Sequence, residues 1–255
     1  MKRNLSLGIA LRKDEEFFLV KAEAWWLFEF GLRRGSLVSL EGADGKWFRG
    51  RVVGDEPERV RVRVFEELAQ SPESSLEFIL LPAVLNKERM ELIIEKAVEL
   101  GADIIQPFFS ERSYHLSDYP QPKWRRWQDR AVKASMQCRR GAVARVLEPN
   151  SLKDAVLVSR EAELKLVLYE GERDQGLREV LEKAKRVSSC ALASGPEGGF
   201  APREIGWLKE QGFIPVSLGG RIVRAETSAI IGAGIVQFYL GDLGGGGGRV
   251  GRAGK

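Results

Sequence analysis

Short apolar runs alternate with helical patterns over most of this sequence, from Leu76 to about residue 240. Leu76–Leu81 has the length and composition of a buried strand, and Lys87–Leu100 then places its apolar residues on one helical face before Gly101. Strands that alternate with helices form a mainly parallel sheet covered on both faces. The pattern therefore predicts an α/β fold for this region.

Residues 1 to about 70 have a different pattern, in which short runs are separated by Gly, Asp and Pro turn signals. The predicted strands are Leu5–Leu11, Phe17–Val20, Ser36–Leu40, Trp47–Val53 and Arg59–Phe65. Arg59–Phe65 alternates strictly, which is typical of a strand with one exposed basic face. With one helical interruption at about Ala22 to Leu32, a small β-barrel fits this region, and Ala69–Ser75 is the candidate linker after it.

The composition is that of an ordinary globular protein, with 255 residues, 44% hydrophobic and 30% charged. Apolar runs stay well short of the roughly 20 residues that span a bilayer, and the N-terminus has no secretory apolar core. Two cysteines and a single histidine, His115, argue against a disulfide framework and a zinc site. We expect a cytoplasmic protein without a metal.

Positive charge is concentrated between Gln121 and Arg145, a stretch with eight Lys and Arg residues and a single acidic residue, Asp129. Such a cluster favours a polyanionic partner. Most of it falls on a predicted long helix, Lys123–Arg140. We interpret Trp127 on this helix as a core residue, the alternative being a platform on which an RNA base stacks.

Two glycine-containing loops each follow a short apolar run and precede a helical pattern. The first glycine loop is Ser194–Phe200, and the second is Leu218–Ser228. Ligands bind at the carboxyl ends of strands in open α/β sheets. Glu197 in the first glycine loop disfavours a phosphate and favours a neutral or cationic ligand. The alternative for this loop is a plain strand-to-helix turn, with Pro202 as the first helical residue.

Five stretches together resemble one family in their order along the chain. They are Glu95–Gly101, Ser110–Ser113, Arg126–Trp127 and the two glycine loops, with Gly-Pro-Glu-Gly-Gly in the first and Leu-Gly-Gly-Arg-Ile-Val-Arg-Ala-Glu-Thr in the second. The sequence resembles the RsmE-type methyltransferases of the SPOUT superfamily, which methylate N3 of a uridine in bacterial 16S ribosomal RNA. The resemblance is strong over about 76–240 and weak over 1–70.

The resemblance implies a PUA-like, RNA-binding β-barrel over 1–72 and a SPOUT methyltransferase domain with a deep C-terminal trefoil knot over 73–242. Residues 243–255 are expected to form a flexible glycine-rich tail. The family works as a homodimer on 16S rRNA or the assembled small subunit, and it binds S-adenosyl-L-methionine in the knot. This cofactor has a sulfonium, an ammonium and a carboxylate but no phosphate, which is compatible with Glu197.

The resemblance also implies roles for individual residues. The implied cofactor-binding residues are Leu168, Glu170, Ser194, Gly195, Glu197, Gly198, Gly199, Leu218, Gly219, Ile222 and Val223. The implied RNA-binding residues are Arg3, Arg112, Arg125, Gln137, Arg139 and Arg140. In the first domain, Trp25 and Gly31 depart from the family pattern, as does Met136 on the basic helix.

Methylation of N3 requires removal of its proton or stabilisation of the anion. We expect Arg224 to stabilise negative charge on the uracil carbonyl oxygens, and Glu226 to orient the base or accept the proton. The alternative is that Glu226 only caps the last helix and pairs with Arg224. Two other functions stay open at this point, namely ribose 2′-O-methylation by the same fold and a non-catalytic rRNA-binding assembly factor.

Overall fold

The computed structural model of the protein describes residues 7–21, 32–115, 124–184 and 187–245, with the side chains of residues 124 and 125 excepted. The predictions for Arg3, Trp25, Gly31 and the side chain of Arg125 lie outside these residues, as do most of the helix predicted over 22–32 and of the tail. The chain divides into two compact units. The first unit is residues 1–73 and 131–144, and the second unit is residues 74–130 and 145–255.

The first unit contains a four-stranded antiparallel sheet with the order β1-β4-β3-β2. Its strands are β1 (Glu16–Val20), β2 (Leu37–Glu41), β3 (Trp47–Asp55) and β4 (Arg59–Leu68). In β4, valines 60, 62 and 64 are buried and arginines 59, 61 and 63 are exposed, which confirms the predicted alternation. Residues 7–11 do not form the predicted strand Leu5–Leu11. Gly8 interrupts this run, and two isolated backbone hydrogen bonds tie the segment to Glu41 and Ala43.

Residues 131–144 were not expected to belong with the first unit. They include the end of helix α2 (Trp124–Gln137) and the turn after it. Val132 and Val143 pack in the same apolar core as strands β2 to β4. In this turn Arg140 forms an ion pair with Glu73, with 2.7 Å between Nη2 and Oε2 and both side chains about 95% buried.

The second unit is built around a six-stranded sheet in which every neighbouring pair is parallel, in the order β12-β10-β11-β5-β6-β8. These strands are β5 (Glu77–Pro82), β6 (Ile104–Ile105), β8 (Arg145–Val146), β10 (Leu164–Leu168), β11 (Ser189–Ser194) and β12 (Ile214–Val216). The predicted α/β alternation and parallel sheet are confirmed. A continuous strand over Ile104–Phe109 was wrong, because Pro107 has no N–H for the ladder. Its last two residues form β7 (Phe108–Phe109), which pairs with β9 (Asn150–Ser151) in a separate sheet.

The described residues of the second unit form five further helices, which are α1 (Lys87–Glu99), α3 (Leu152–Val156), α4 (Leu177–Lys183), α5 (Pro202–Glu210) and α6 (Ala225–Leu240). A 3₁₀ helix, Leu157–Ser159, continues α3. Helix α6 packs on α1, α4, β5 and β11. Gly232 permits this close packing, because a Cβ atom there would lie 2.8 Å from Leu168 and 2.9 Å from Leu192. The last helix therefore lies directly against the strands from which the predicted cofactor loops emerge.

Candidate active site

Three loops leave the sheet side by side at the carboxyl ends of neighbouring strands. Leu168 at the end of β10 is in register with Ser194 at the end of β11 and with Val216 at the end of β12. Adjacent strands lie about 4.8 Å apart. The loop after β10 and the two glycine loops therefore begin within about 10 Å of one another. This edge is the position at which open α/β sheets bind their ligands.

Close packing explains the glycines of the first glycine loop. Gly199 has a positive φ of 66°, and a Cβ atom there would collide with the carboxylate of Glu170 in the loop after β10. A Cβ atom at Gly195 would lie 2.9 Å from the ring of Phe200. That ring is buried and stacks on Phe108 at a centroid distance of 6.0 Å. A side chain larger than hydrogen would therefore displace Glu170 if placed at Gly199, or the ring of Phe200 if placed at Gly195.

The glycines of the second glycine loop have open space around them. Gly219 has a φ of 111°, and no heavy atom lies within 4 Å of the Cβ position at Gly219 or Gly220. Ile222 is 92% exposed, whereas Leu218 and Val223 are half-buried. An apolar side chain held in open space beside glycines can cover the face of an aromatic ligand. The loop thus offers an exposed apolar side chain beside two unobstructed glycines, against which a flat ligand can pack.

The predicted catalytic residues lie at the start of α6. Arg224 is its N-cap residue and is exposed, and its carbonyl oxygen accepts from Ser228 N at 2.8 Å. Glu226 lies in the first turn, and its side chain is only 10% exposed. The pairing of Glu226 with Arg224 considered above is not found. The ion pair that Glu226 forms is with Arg89 of α1, at 3.7 Å between Nε and Oε1.

Arg89 is a residue of this site that sequence reasoning missed. Its Nη1 donates to the carboxylate of Glu197 in the first glycine loop, while its Nε approaches Glu226. The backbone N–H of Arg89 donates to the side chain of Asn86, the N-cap of α1, at 3.0 Å. The sequence showed Arg89 only as a polar residue of an amphipathic helix. Its role depends on the packing of α1 against α6, which has no local signal.

Additional contacts hold the first glycine loop in place. The hydroxyl groups of Ser194 and Ser228 lie 3.3 Å apart, so that this loop is tied to α6. Arg112 donates from Nη1 to the carbonyl oxygen of Gly198 at 3.1 Å. Glu204 is the third residue of α5, and its carboxylate accepts from Ala201 N at 2.8 Å and from the hydroxyl of Ser110 at 2.9 Å. Helix α5 begins at Pro202, as the sequence predicts.

The residues expected to bind RNA fall in different surroundings. Arg112 is exposed in the second unit, beside the first glycine loop. Gln137 and Arg139 are exposed in the first unit, and Arg139 has a positive φ of 62°. Arg140 is instead engaged by the buried carboxylate of Glu73, which gives its guanidinium a structural role inside that unit. Trp127 is 1% exposed, which confirms its interpretation as a core residue.

The strand beneath the site carries an inert thiol. Cys190 in β11 is fully buried, and burial raises the pKa of this thiol to about 12. Among the residues that the structure describes, no group of three or more His, Cys, Asp and Glu side chains could hold a metal ion. The helices of the described ranges include none that is long and apolar enough to span a membrane.

Comparison with known proteins identifies the family of the larger part of the chain. The family model of the RNA methyltransferase domain matches residues 72–237. A ribosomal RNA small subunit methyltransferase E from Synechocystis is 31% identical over 211 residues, covering 82% of this chain and 68% of the relative. The protein of the same name from Buchnera aphidicola subsp. Schizaphis graminum is 30% identical over 187 residues, covering 72% of this chain and 74% of the relative.

A solved structure extends the likeness over both units. The crystal structure of a ribosomal RNA small subunit methyltransferase E from Neisseria gonorrhoeae, bound to S-adenosyl methionine, matches with a TM-score of 0.68 and 26% identity. The match covers 94% of this chain and 98% of that one. The resemblance seen in the two glycine loops is thereby confirmed. The chain belongs to the RNA methyltransferase family, among proteins of the ribosomal RNA small subunit methyltransferase E type.

Proposed function

We propose that this protein transfers a methyl group from S-adenosyl-L-methionine to N3 of a uridine in bacterial 16S ribosomal RNA. The observation that carries the proposal is the buried oxygen Oε2 of Glu226, for which the described residues provide no hydrogen-bond partner. Glu226 lies in the first turn of α6, in the last part of the second glycine loop and beside the predicted cofactor site. A buried acceptor of this kind suits a substrate that brings a donor, and the N3–H group of uracil is one.

The described residues fit the cofactor. S-adenosyl-L-methionine supplies a methyl group on a positively charged sulfur. Leu168, Leu218 and Ile222 would surround its adenine ring with apolar surface, and the nearby glycines allow close approach of backbone amides.

Two residues of the chain are assigned to the chemistry. Glu226 accepts the hydrogen bond from N3–H through Oε2 and takes the proton as N3 becomes nucleophilic. Arg224 stabilises the negative charge that develops on the uracil carbonyl oxygens. The N3 electron pair forms the bond to the methyl carbon, and the methyl–sulfur bond breaks with its electron pair remaining on sulfur. Each proton and electron pair is therefore accounted for within the site.

The remaining parts of the proposal concern architecture and partners. The first unit is proposed to be the PUA-like, RNA-binding domain, and the second unit a knotted SPOUT domain that acts in the cytoplasm on 16S rRNA or the assembled subunit. Arg3, Arg112, Arg125, Gln137 and Arg139 are proposed to contact the RNA. Assembly into a homodimer is supported by the exposed apolar side chains of Ile231 and Phe238 on α6, which are 44% and 61% exposed. The two residues are seven positions apart and so share one face of the helix, and exposed apolar surface is common at protein interfaces.

The proposal is tested by mass spectrometry of 16S rRNA nucleosides from a strain that lacks the protein. We expect 3-methyluridine to disappear, and to return when the wild-type chain is supplied but not when the Arg224→Ala variant is supplied. Calorimetry should show that this variant still binds S-adenosyl-L-methionine. Persistence of 3-methyluridine in the deletion strain would refute the assignment, and loss of a 2′-O-methylated nucleoside instead would favour ribose methylation.

A further inference from the structure

Arg89 connects two acidic residues that come from different parts of the site. Glu197, 108 residues further along the chain, belongs to the first glycine loop, and its carboxylate accepts from Nη1 of Arg89. Glu226 is the second residue of α6, and its Oε1 lies 3.7 Å from Nε of Arg89. One guanidinium therefore spans the predicted cofactor loop and the predicted catalytic carboxylate. Its planar fork of donors suits this bridging role, whereas a lysine ammonium is a single point charge.

The two oxygens of Glu226 have different surroundings. Oε1 faces Arg89, whereas Oε2 is buried and has no hydrogen-bond partner in the described chain. Buried carboxylate oxygens are normally satisfied, so that an unpaired one marks a position that another molecule completes. Because Arg89 attracts Oε1, Arg89 sets the orientation of the Glu226 carboxylate and therefore the direction in which Oε2 points.

Arg89 is itself held rigidly. It lies in the first turn of α1, where its backbone N–H is bound by the N-cap Asn86. The next residue, Met90, is completely buried in the second unit. The side chain of Arg89 is 30% exposed, which leaves its guanidinium reachable from the site while its backbone is fixed. A rigid support of this kind is what precise placement of a catalytic group requires.

We propose that Arg89 is a positioning residue for methyl transfer, acting through Glu226. This inference rests on the proposed function, because it assumes that Glu226 receives the N3 proton. Without Arg89, the carboxylate of Glu226 can rotate, and Oε2 no longer meets the uracil N3–H group. Misplacement of a reacting group by about 1 Å lowers rates on the order of 100-fold.

The test compares Arg89→Met with Lys87→Met, a control on the same turn of α1. Lys87 is an exposed residue with only a long 3.9 Å ion pair to Glu91. We expect Arg89→Met to lower kcat for 3-methyluridine formation about 10- to 100-fold. The KM for RNA, the calorimetric Kd for S-adenosyl-L-methionine and the Tm should stay close to wild-type values. Arg89→Lys should recover part of the activity, and Lys87→Met should be as active as wild type.

A double-mutant cycle separates positioning from a general structural effect. If Arg89 acts through Glu226, adding Arg89→Met to Glu226→Gln lowers kcat no further. The inference would be overturned if the double variant showed the product of the two single-variant reductions in kcat, or if Arg89→Met kept full activity. A fall in Tm together with weaker cofactor binding would also overturn it, since that pattern indicates a structural role. Failure of the wild-type enzyme to form 3-methyluridine would instead refute the proposed function, so the two failures are distinguishable.

Discussion

Replacing Glu73 by glutamine should destabilise the first unit by about 4 kcal/mol, in the range measured when one partner of a buried ion pair is removed. The Glu73 carboxylate accepts from Nε and Nη2 of Arg140, at distances down to 2.7 Å, and from the backbone N–H groups of Gly141 and Ala142 at 2.8 and 3.1 Å. Glutamine keeps one carbonyl oxygen for the backbone donors. The substitution removes the negative charge that is paired with Arg140. The amide NH₂ group of glutamine can also lie against the guanidinium, where two donors would then meet without an acceptor.

The loss is measurable by urea unfolding followed through hydrogen exchange of peptides from β2, β3 and β4. With an m-value of about 2 kcal/mol/M, the midpoint should fall by about 2 M. The matched control is Glu67→Gln in the same unit, because Glu67 forms an exposed ion pair with Lys46 and should cost less than about 1 kcal/mol. The double variant Glu73→Gln/Arg140→Met should recover part of the stability, since it removes the buried cation while the backbone donors keep an acceptor. If Glu73→Gln costs no more than Glu67→Gln, the buried pair does not have the structural role assigned to it.

Two further predictions concern the site and the strand beneath it. Gly199→Ala should weaken S-adenosyl-L-methionine binding in calorimetry, because a methyl group would collide with Glu170 at a backbone φ of 66°. Gly206→Ala is its control, since that helical position has open space; it should raise stability by up to about 1 kcal/mol without changing affinity. Equal affinities for the two variants would contradict the packing explanation. The free energy of unfolding should also fall as the pH rises above 9.0, by at most about 1.4 kcal/mol per pH unit. The reason is that the Cys190 thiol ionises with a pKa of 9.0 in the unfolded chain, whereas burial raises this pKa to about 12 in the folded protein. Cys190→Ala should reduce this dependence in denaturation at several pH values, and an unchanged slope would show that other groups cause it.

The sequence supported those parts of the fold that depend on local pattern. Period-two alternation located β4, and the apolar runs located β5, β10 and β11 within a residue or two. The break between β6 and β7 had a visible signal in Pro107, which was outweighed by the apolar residues on both sides. The assignment of residues 131–144 to the first unit had no such signal, because it depends on packing between distant segments.

The candidate site likewise contains some residues that could be recognised from the sequence and others that depend on tertiary packing. Glycines with a positive φ or a close neighbour, such as Gly199 and Gly219, occur in motifs that can be recognised in sequence. Arg140 was expected to bind RNA from its charge and from the family resemblance, whereas its surroundings depend on Glu73, 67 residues earlier. Arg89 was missed for the same reason. Charged residues can be counted from a sequence, but their partners are determined by tertiary packing.

The strand order has a consequence for synthesis on the ribosome. Strand β5 lies in the interior of the sheet, yet its neighbour β11 follows about 100 residues later, which corresponds to on the order of 5–20 s of translation. During that interval the apolar strand Glu77–Pro82 has only β6 available as a partner in the sheet. The carboxylate of Glu226 reaches Arg89 later still, after the last helix has emerged. The nascent chain therefore depends on protection of β5 from aggregation well before it can possess a complete active site.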